Sequence, residues 1–253
     1  MKQFYLLVTL VLLTNINLIQ AQNDSIYFWK TGKTIFKISV KPTDLDSITF
    51  KGPEVLPSTV TDIDGNVIQT VIICNQTWTK TNLNVTKYRN GDVIPQVTDP
   101  AEWDNLTTGA WCYYNNDPAM EAIYGKLYNW YAVSDPRGLA PTGYHIPTDT
   151  DWAVLITCLG GESIAGSAMK ETGNTHWLNG NTEATNSSGF TALPGGAGGS
   201  RFEGVGFGGL WWTSSEGSFT TSAWSYVLVY SDGSATRDGT SKSSGFSVRC
   251  IKD

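Results

Sequence analysis

The chain holds only two histidines, and one of them sits in the stretch YHIPTDTDWAVL, where His145 is followed at short spacing by Asp149 and Asp151. A histidine with two nearby carboxylates has the residue types of a metal site or of an acid/base pair. The same residues also spell the start of a helix. Thr148 with Asp151 three positions on approximates a capping box, and acidic side chains in a first turn answer the helix dipole. Trp152, Leu155, Ile156 and Leu159 then continue an apolar stripe that Gly160-Gly161 ends. Helix initiation accounts for every residue after Pro147, and it leaves His145 as a half-buried strand histidine bonded to a backbone carbonyl.

Other candidates for chemistry are treated the same way. Ser167-Ala-Met-Lys170 fits SxxK and Lys30-Thr31-Gly32 fits KTG, but in penicillin-binding enzymes KTG follows SxxK, and here it precedes it by more than a hundred residues. No GxSxG elbow is present to present a serine to a base. Asp62, Asp64 and Asn66 place three oxygen side chains in one turn, like the opening of a calcium loop, without the distal Glu of an EF-hand; a β-turn is the plainer reading. PGGAGGS (194–200) lacks the following helix N-terminus of a phosphate cradle and reads as a loop that shapes a surface. No catalytic residue is assigned.

The most extended polar-aromatic pattern lies late in the chain. Trp211, Trp224, Tyr226 and Tyr230 are interleaved with Glu216, Asp232 and Arg237, and His176 stands beside Trp177 in an earlier loop. Such a mixture suits a shallow recognition surface for sugar or protein. About half of these aromatics must face inward, and Trp212 and Phe246 are expected in the core.

Four cysteines, Cys74, Cys112, Cys158 and Cys250, are spaced too widely for a zinc site and are disulfide candidates in an oxidising compartment. The compartment follows from MKQFYLLVTLVLLTNINLIQAQ, a basic, apolar and small-residue succession that reads as a cleavable signal peptide, residues 1–21. Its apolar run is too short for a transmembrane helix, which needs about 20 such residues. A formal net charge of −6 without basic runs argues against nucleic acid or an anionic membrane as partner.

These side chains need elements to hold them. SIYFWKTGKTIFKISV alternates around a turn as a small β-hairpin, and with Pro53 and Pro57 it makes an N-terminal hairpin and linker, residues 22–58. Turns at Asp64-Gly65-Asn66 and Asn90-Gly91-Asp92 break the next part into short strands. EAIYGKLYNWYAV, with Ile123, Leu127, Trp130 and Tyr131 on one face, predicts a first helix, and residues 148–159 a second. GFTALPGG (189–196), GLWWTSSE, AWSYVLVYSDGSATRDG and GFSVRCIKD read as strands, Asp232-Gly233 being a hairpin turn.

In their order, DIDGNVIQTVIICNQTW, YGKLYNWYAV, PTGYHIPTDTDWAVL, GFTALPGG, WWTSSE and GFSVRCIKD resemble the Fibrobacter succinogenes major paralogous domain of secreted Bacteroidota-type proteins, over residues 59–253. That family in turn resembles the C-type lectin-like fold shared with the formylglycine-generating and sulfatase-modifying proteins. The resemblance implies an α+β fold of two helices on short antiparallel sheets with long loops, GFSVRC pairing back beside the N-terminal strand, and a ligand site near the C-terminal end of the domain. It also implies a cysteine just before PTG as partner for Cys250. Ala140 stands there, so Cys250 is either re-paired with Cys112 or Cys158 or left free. The late cysteine pair of the formylglycine-generating enzymes is missing, as are the EPN or QPD and WND motifs of calcium-dependent sugar binding. The expectation is therefore a secreted or cell-surface binding module without catalysis or cofactor, recognising glycan or a cell-surface protein in adhesion. A structural role in a surface complex is the alternative, and an oxidative enzyme a more distant one.

Overall fold

The computed structural model describes residues 58–253 and, before them, the backbone of three strands. The chain divides into two compact units, Met1–Val55 and Leu56–Asp253. In the first, β1 (Gln20–Gln22), β2 (Ser25–Lys30) and β3 (Lys33–Ser39) form an antiparallel sheet, with Lys30 opposite Lys33. β2 and β3 are the strands expected from the alternation in SIYFWKTGKTIFKISV. Most of the expected leader, residues Thr31 and Gly32 of the KTG triplet, and the stretch holding Pro53 and Pro57 lie outside the described residues.

The second unit runs β4 (Thr59–Thr61), β5 (Val67–Ile73), β6 (Gln76–Thr79), α1 (Pro100–Asp104), β7 (Trp111–Cys112), α2 (Glu121–Tyr124), β8 (Leu127–Tyr128) and α3 (Trp130–Val133). It continues β9 (Tyr144–His145), α4 (Asp149–Cys158), α5 (Glu162–Met169), β10 (Gly195–Ala197), β11 (Glu203–Val205), β12 (Gly208–Glu216), β13 (Ser222–Val229), β14 (Thr236–Ser241) and β15 (Ile251–Lys252). Two five-stranded sheets result, ordered β4-β5-β6-β15-β9 and β11-β10-β12-β13-β14, beside a β7–β8 ribbon. The first is antiparallel throughout, and Ile251 in β15 faces both Trp78 and His145. The chain end does return to the early sheet, but through Ile251–Lys252 rather than GFSVRC, and it lies between β6 and β9 rather than beside the N-terminal strand β4. The domain is mixed α+β with more strand than helix.

The expected first helix over 121–133 does not form as one element. Gly125 takes φ 73°, ψ −153° and ends α2, an orientation open chiefly to glycine. Leu127 and Tyr128 then extend to pair with Cys112 and Trp111. Asn129 restarts the helix by accepting N–H bonds at Oδ1 from Ala132 and from Ala110 across the chain. Ile123 is consequently exposed rather than on a core face. The second helix is as read: Thr148 and Asp151 form a reciprocal capping box and Trp152, Leu155 and Ile156 are buried. α5 and α1 were not foreseen, and GFTALPGG contributes only a bridge at Ala192 and β10.

Tryptophan dominates the interior. Trp78, Trp103, Trp152, Trp177, Trp211 and Trp212 are all under 2% exposed. A buried indole must also place its N–H. Trp212 donates to the Tyr128 carbonyl at 2.8 Å, Trp177 to Ala192 at 3.1 Å and Trp211 to Asn82 Oδ1 at 2.9 Å. Trp212 and Phe246 meet at 4.5 Å between centroids, in the core as expected. Arg249, in the GFSVRC stretch, is buried with its donors on Asn82 Oδ1 and the carbonyls of Thr79, Phe190 and Thr191. It therefore ties the 190–191 loop to β6.

Cys74 and Cys158 form a disulfide with Cα atoms 6.7 Å apart, joining the β5–β6 turn to the end of α4. Cys112 and Cys250 are free and buried. The two re-pairings considered for Cys250 are thus corrected, because Cys158 is already bonded and Cys112 packs in another cluster with Trp103 and Leu127. Burial pushes the Cys112 thiol up to about 12, far from a reactive thiolate.

Candidate binding face

β13 decides which side of the second sheet is free. Its side chains alternate. Tyr226 and Leu228 turn toward the core shared with α4 and α5, where the Tyr226 ring stacks on Trp152 at 4.9 Å. Val227 and Val229 turn the other way and remain partly exposed. Leu210 in β12 lies directly across from Val227. With Val205 and Phe207 these residues line a largely apolar trough of about 560 Å³.

A second depression of about 310 Å³ adjoins it, and both include Ala197, Glu203 and Leu210. The second is polar: Arg201, Asp238, Thr240 and Ser243 line it. Beside it, glycine lets β10 and β11 approach closely. Gly196 takes φ 66°, and a Cβ there would run into the Glu203 carbonyl of β11. PGGAGGS is therefore a short strand with flanking turns, and it does shape a surface. The groove offers an apolar half and a charged half along one sheet face, which suits a ligand with both characters.

The residues singled out by sequence do not gather into one site. Trp211 is fully buried in the core and presents no surface. Trp224, Tyr226 and Arg237 do come together, but on the helix side of the sheet. Arg237 lies 3.3 Å from the Trp224 ring centroid and forks Asp149 through Nε at 2.6 Å and Nη2 at 2.8 Å. This pins the first turn of α4 to β14. Tyr230 meets Phe207 edge-on at 4.9 Å, so it backs the trough from behind. Glu216 accepts from Lys242 at 2.6 Å, whose ammonium lies over Trp130. Asp232 caps its own turn by accepting from the Ser234 amide at 2.8 Å. His176 pairs with Glu171 at 2.8 Å, beside Tyr124.

The remaining motifs are absorbed by structure. His145 is corrected in its partners, since Nδ1 meets Asp253 Oδ1 at 2.8 Å and Nε2 lies 3.4 Å from Asp151, rather than a backbone carbonyl. Lys170 of the SxxK match is buried with Nζ on the carbonyls of Thr182, Val229 and Asp232, while Ser167 turns to Glu183. Asp62 accepts from the amides of Asp64 and Asn66 and from Asn66 Nδ2, and Asp64 accepts from Thr86 and Lys87, so both carboxylates are engaged and Asn66 enters the turn as a donor. Among the described residues no three His, Cys, Asp or Glu side chains are placed to share a metal ion. Nor is any single helix there long and apolar enough to cross a membrane.

Two five-stranded sheets, a Trp-rich core and an open groove make a mixed α+β domain. The family model described as Fibrobacter succinogenes major domain matches residues 71–252, and the chain belongs to that family. No curated protein and no solved structure matches it.

Proposed function

We propose that this protein is a secreted or surface-associated, non-catalytic binding module of C-type lectin-like fold that recognises a glycan or a cell-surface protein in adhesion. The observation carrying this reading is the continuous groove on the outer face of β10–β14, whose apolar row of Val205, Leu210, Val227 and Val229 has no covering element among the described residues. Unpartnered apolar surface beside charged groups marks interaction sites more often than chance exposure does. Arg201, Glu203 and Asp238 at the other half supply hydrogen-bonding groups that orient a polar ligand. An acidic chain without basic runs supports a partner other than nucleic acid.

The test is to screen the purified full-length protein on arrays of bacterial and host glycans and of extended peptides. Retention of one chemical class is expected, and retention of neither would contradict the reading. A second reading, an assembly component of a cell-surface complex, is supported by the separate Met1–Val55 unit. Deleting residues 22–58 abolishes surface localisation under that reading and leaves ligand capture intact under the first.

A further inference from the structure

The buried cations of this domain are satisfied in different ways. Lys170 rests on three backbone carbonyls, Lys242 on a carboxylate, and Arg249 on one carboxamide oxygen and three carbonyls. Lys126 is the one amine among these with a side-chain carboxamide and a carboxylate in contact at once. Its Nζ lies 2.6 Å from Oδ1 of Asn84 and 2.6 Å from Oε1 of Glu121. The side chain is 2% exposed, and the nitrogen lies 4.8 Å from the ring centroid of Trp111 and 5.4 Å from that of Tyr113. The Tyr113 hydroxyl donates to the other Glu121 oxygen at 3.2 Å, which fixes the carboxylate. Asn84 and Glu121 both line a depression of about 210 Å³ that opens to solvent.

An amine and a carboxamide in contact are the reactants of an amide exchange, and a carboxylate touching the amine can carry the proton between them. We infer that Lys126 and Asn84 join in an intramolecular isopeptide bond, with Glu121 carrying the proton. Glu121 takes one proton from the ammonium, and the freed lone pair on Nζ adds to Cγ of Asn84. The Nζ–Cγ bond forms and the Cγ–Nδ2 bond breaks. One proton from the attacking nitrogen and the one held by Glu121 pass to Nδ2, which departs as ammonium through the open depression. The chain loses one ammonia and one positive charge, and neither oxidant nor metal is consumed. The hydrogen bond from Lys126 holds the Glu121 carboxyl below the usual carboxylate range, so it is ionised before the proton moves.

Fixed geometry supplies the rate. Well-oriented intramolecular reactants reach effective concentrations of about 10⁵–10⁸ M, and here both reacting groups are held by the fold before reaction. The product would bridge 42 positions of chain and tie the segment after β6 to β8. Unlike the Cys74–Cys158 link, it would survive reductant.

Intact-mass and peptide-mapping measurements on the folded full-length protein decide the matter. The expected mass falls short of the sequence mass by one ammonia beyond any loss from disulfide formation and leader removal, and proteolysis releases a branched peptide carrying Asn84 and Lys126. Glu121→Gln, which keeps the shape of the side chain, is expected to retain the ammonia and give two linear peptides, as is Lys126→Arg. A folded wild-type protein that yields separate linear peptides with the Asn84 amide intact after prolonged incubation overturns the inference without recourse to any variant. Equal cross-linking in Glu121→Gln overturns the role given to Glu121.

Discussion

Thr148 and Asp151 each satisfy a backbone N–H of the other at the start of α4, and this exchange gives the most local consequences in the domain. Removing the hydroxyl in Thr148→Ala is expected to cost about 1 kcal/mol, the usual value of a lost N-cap, measurable by urea unfolding. Burial alone would raise the Asp151 carboxyl, but the Thr148 hydroxyl and amide, with His145, outweigh it and hold it below the ordinary carboxylate value. A carboxylate depressed in the folded state stabilises above its unfolded pKa, and that contribution fades as pH falls through the lowered one. Asp151→Asn should therefore lose stability at about pH 7 and draw closer to wild type as pH falls below the unfolded carboxyl value of about 4; a difference that stays constant over that range would refute the linkage. The capping box was legible because all its partners lie within four residues. Of the two partners of His145, Asp151 stood in the same stretch, whereas Asp253 was illegible because it reaches the ring only through the pairing of β9 with β15.

Among elements, helix α4 and the turn it is bonded to set the stability. The Cys74–Cys158 bond spans 84 residues, and its loss in Cys74→Ser/Cys158→Ser should cost about 2–4 kcal/mol, read as a lower urea midpoint. Non-reducing peptide mapping should find that pair and leave Cys112 and Cys250 as thiols. Gly125→Ala forces an L side chain into a left-handed backbone with its Cβ 3.0 Å from the Leu83 carbonyl, an expected loss of about 1–3 kcal/mol. An unchanged melting temperature would refute the break at Gly125. The apolar spacing of EAIYGKLYNWYAV suggested one helix because periodicity does not weigh the backbone signal of a single glycine. α5 was illegible for the opposite reason: ESIAGSAM packs through Ala165, Gly166 and Met169, whose small residues leave little apolar stripe to read.

At the scale of the molecule, alternation along β13 told which residues share a face and could not tell which face is covered. Trp224, Tyr226, Leu228 and Tyr230 do share one, and helices α4 and α5 sit on it. The opposite face is covered at its Ala223 end by the cluster of Trp130, Trp212 and Phe246 and is open only toward Val227 and Val229, a difference that alternation along one strand does not carry. Measuring the affinity of the captured glycan or peptide for three forms of the full-length protein tests the central claim most directly: wild type, Phe207→Ser/Val229→Asp on the groove, and Trp224→Ala/Arg237→Ala on the helix side, each checked for an intact melt. The groove account predicts that the first pair weakens binding by about tenfold or more, about 1.4 kcal/mol, while the second leaves it within about twofold. The reverse pattern, binding kept by the groove variant and lost with Trp224 and Arg237, would contradict it.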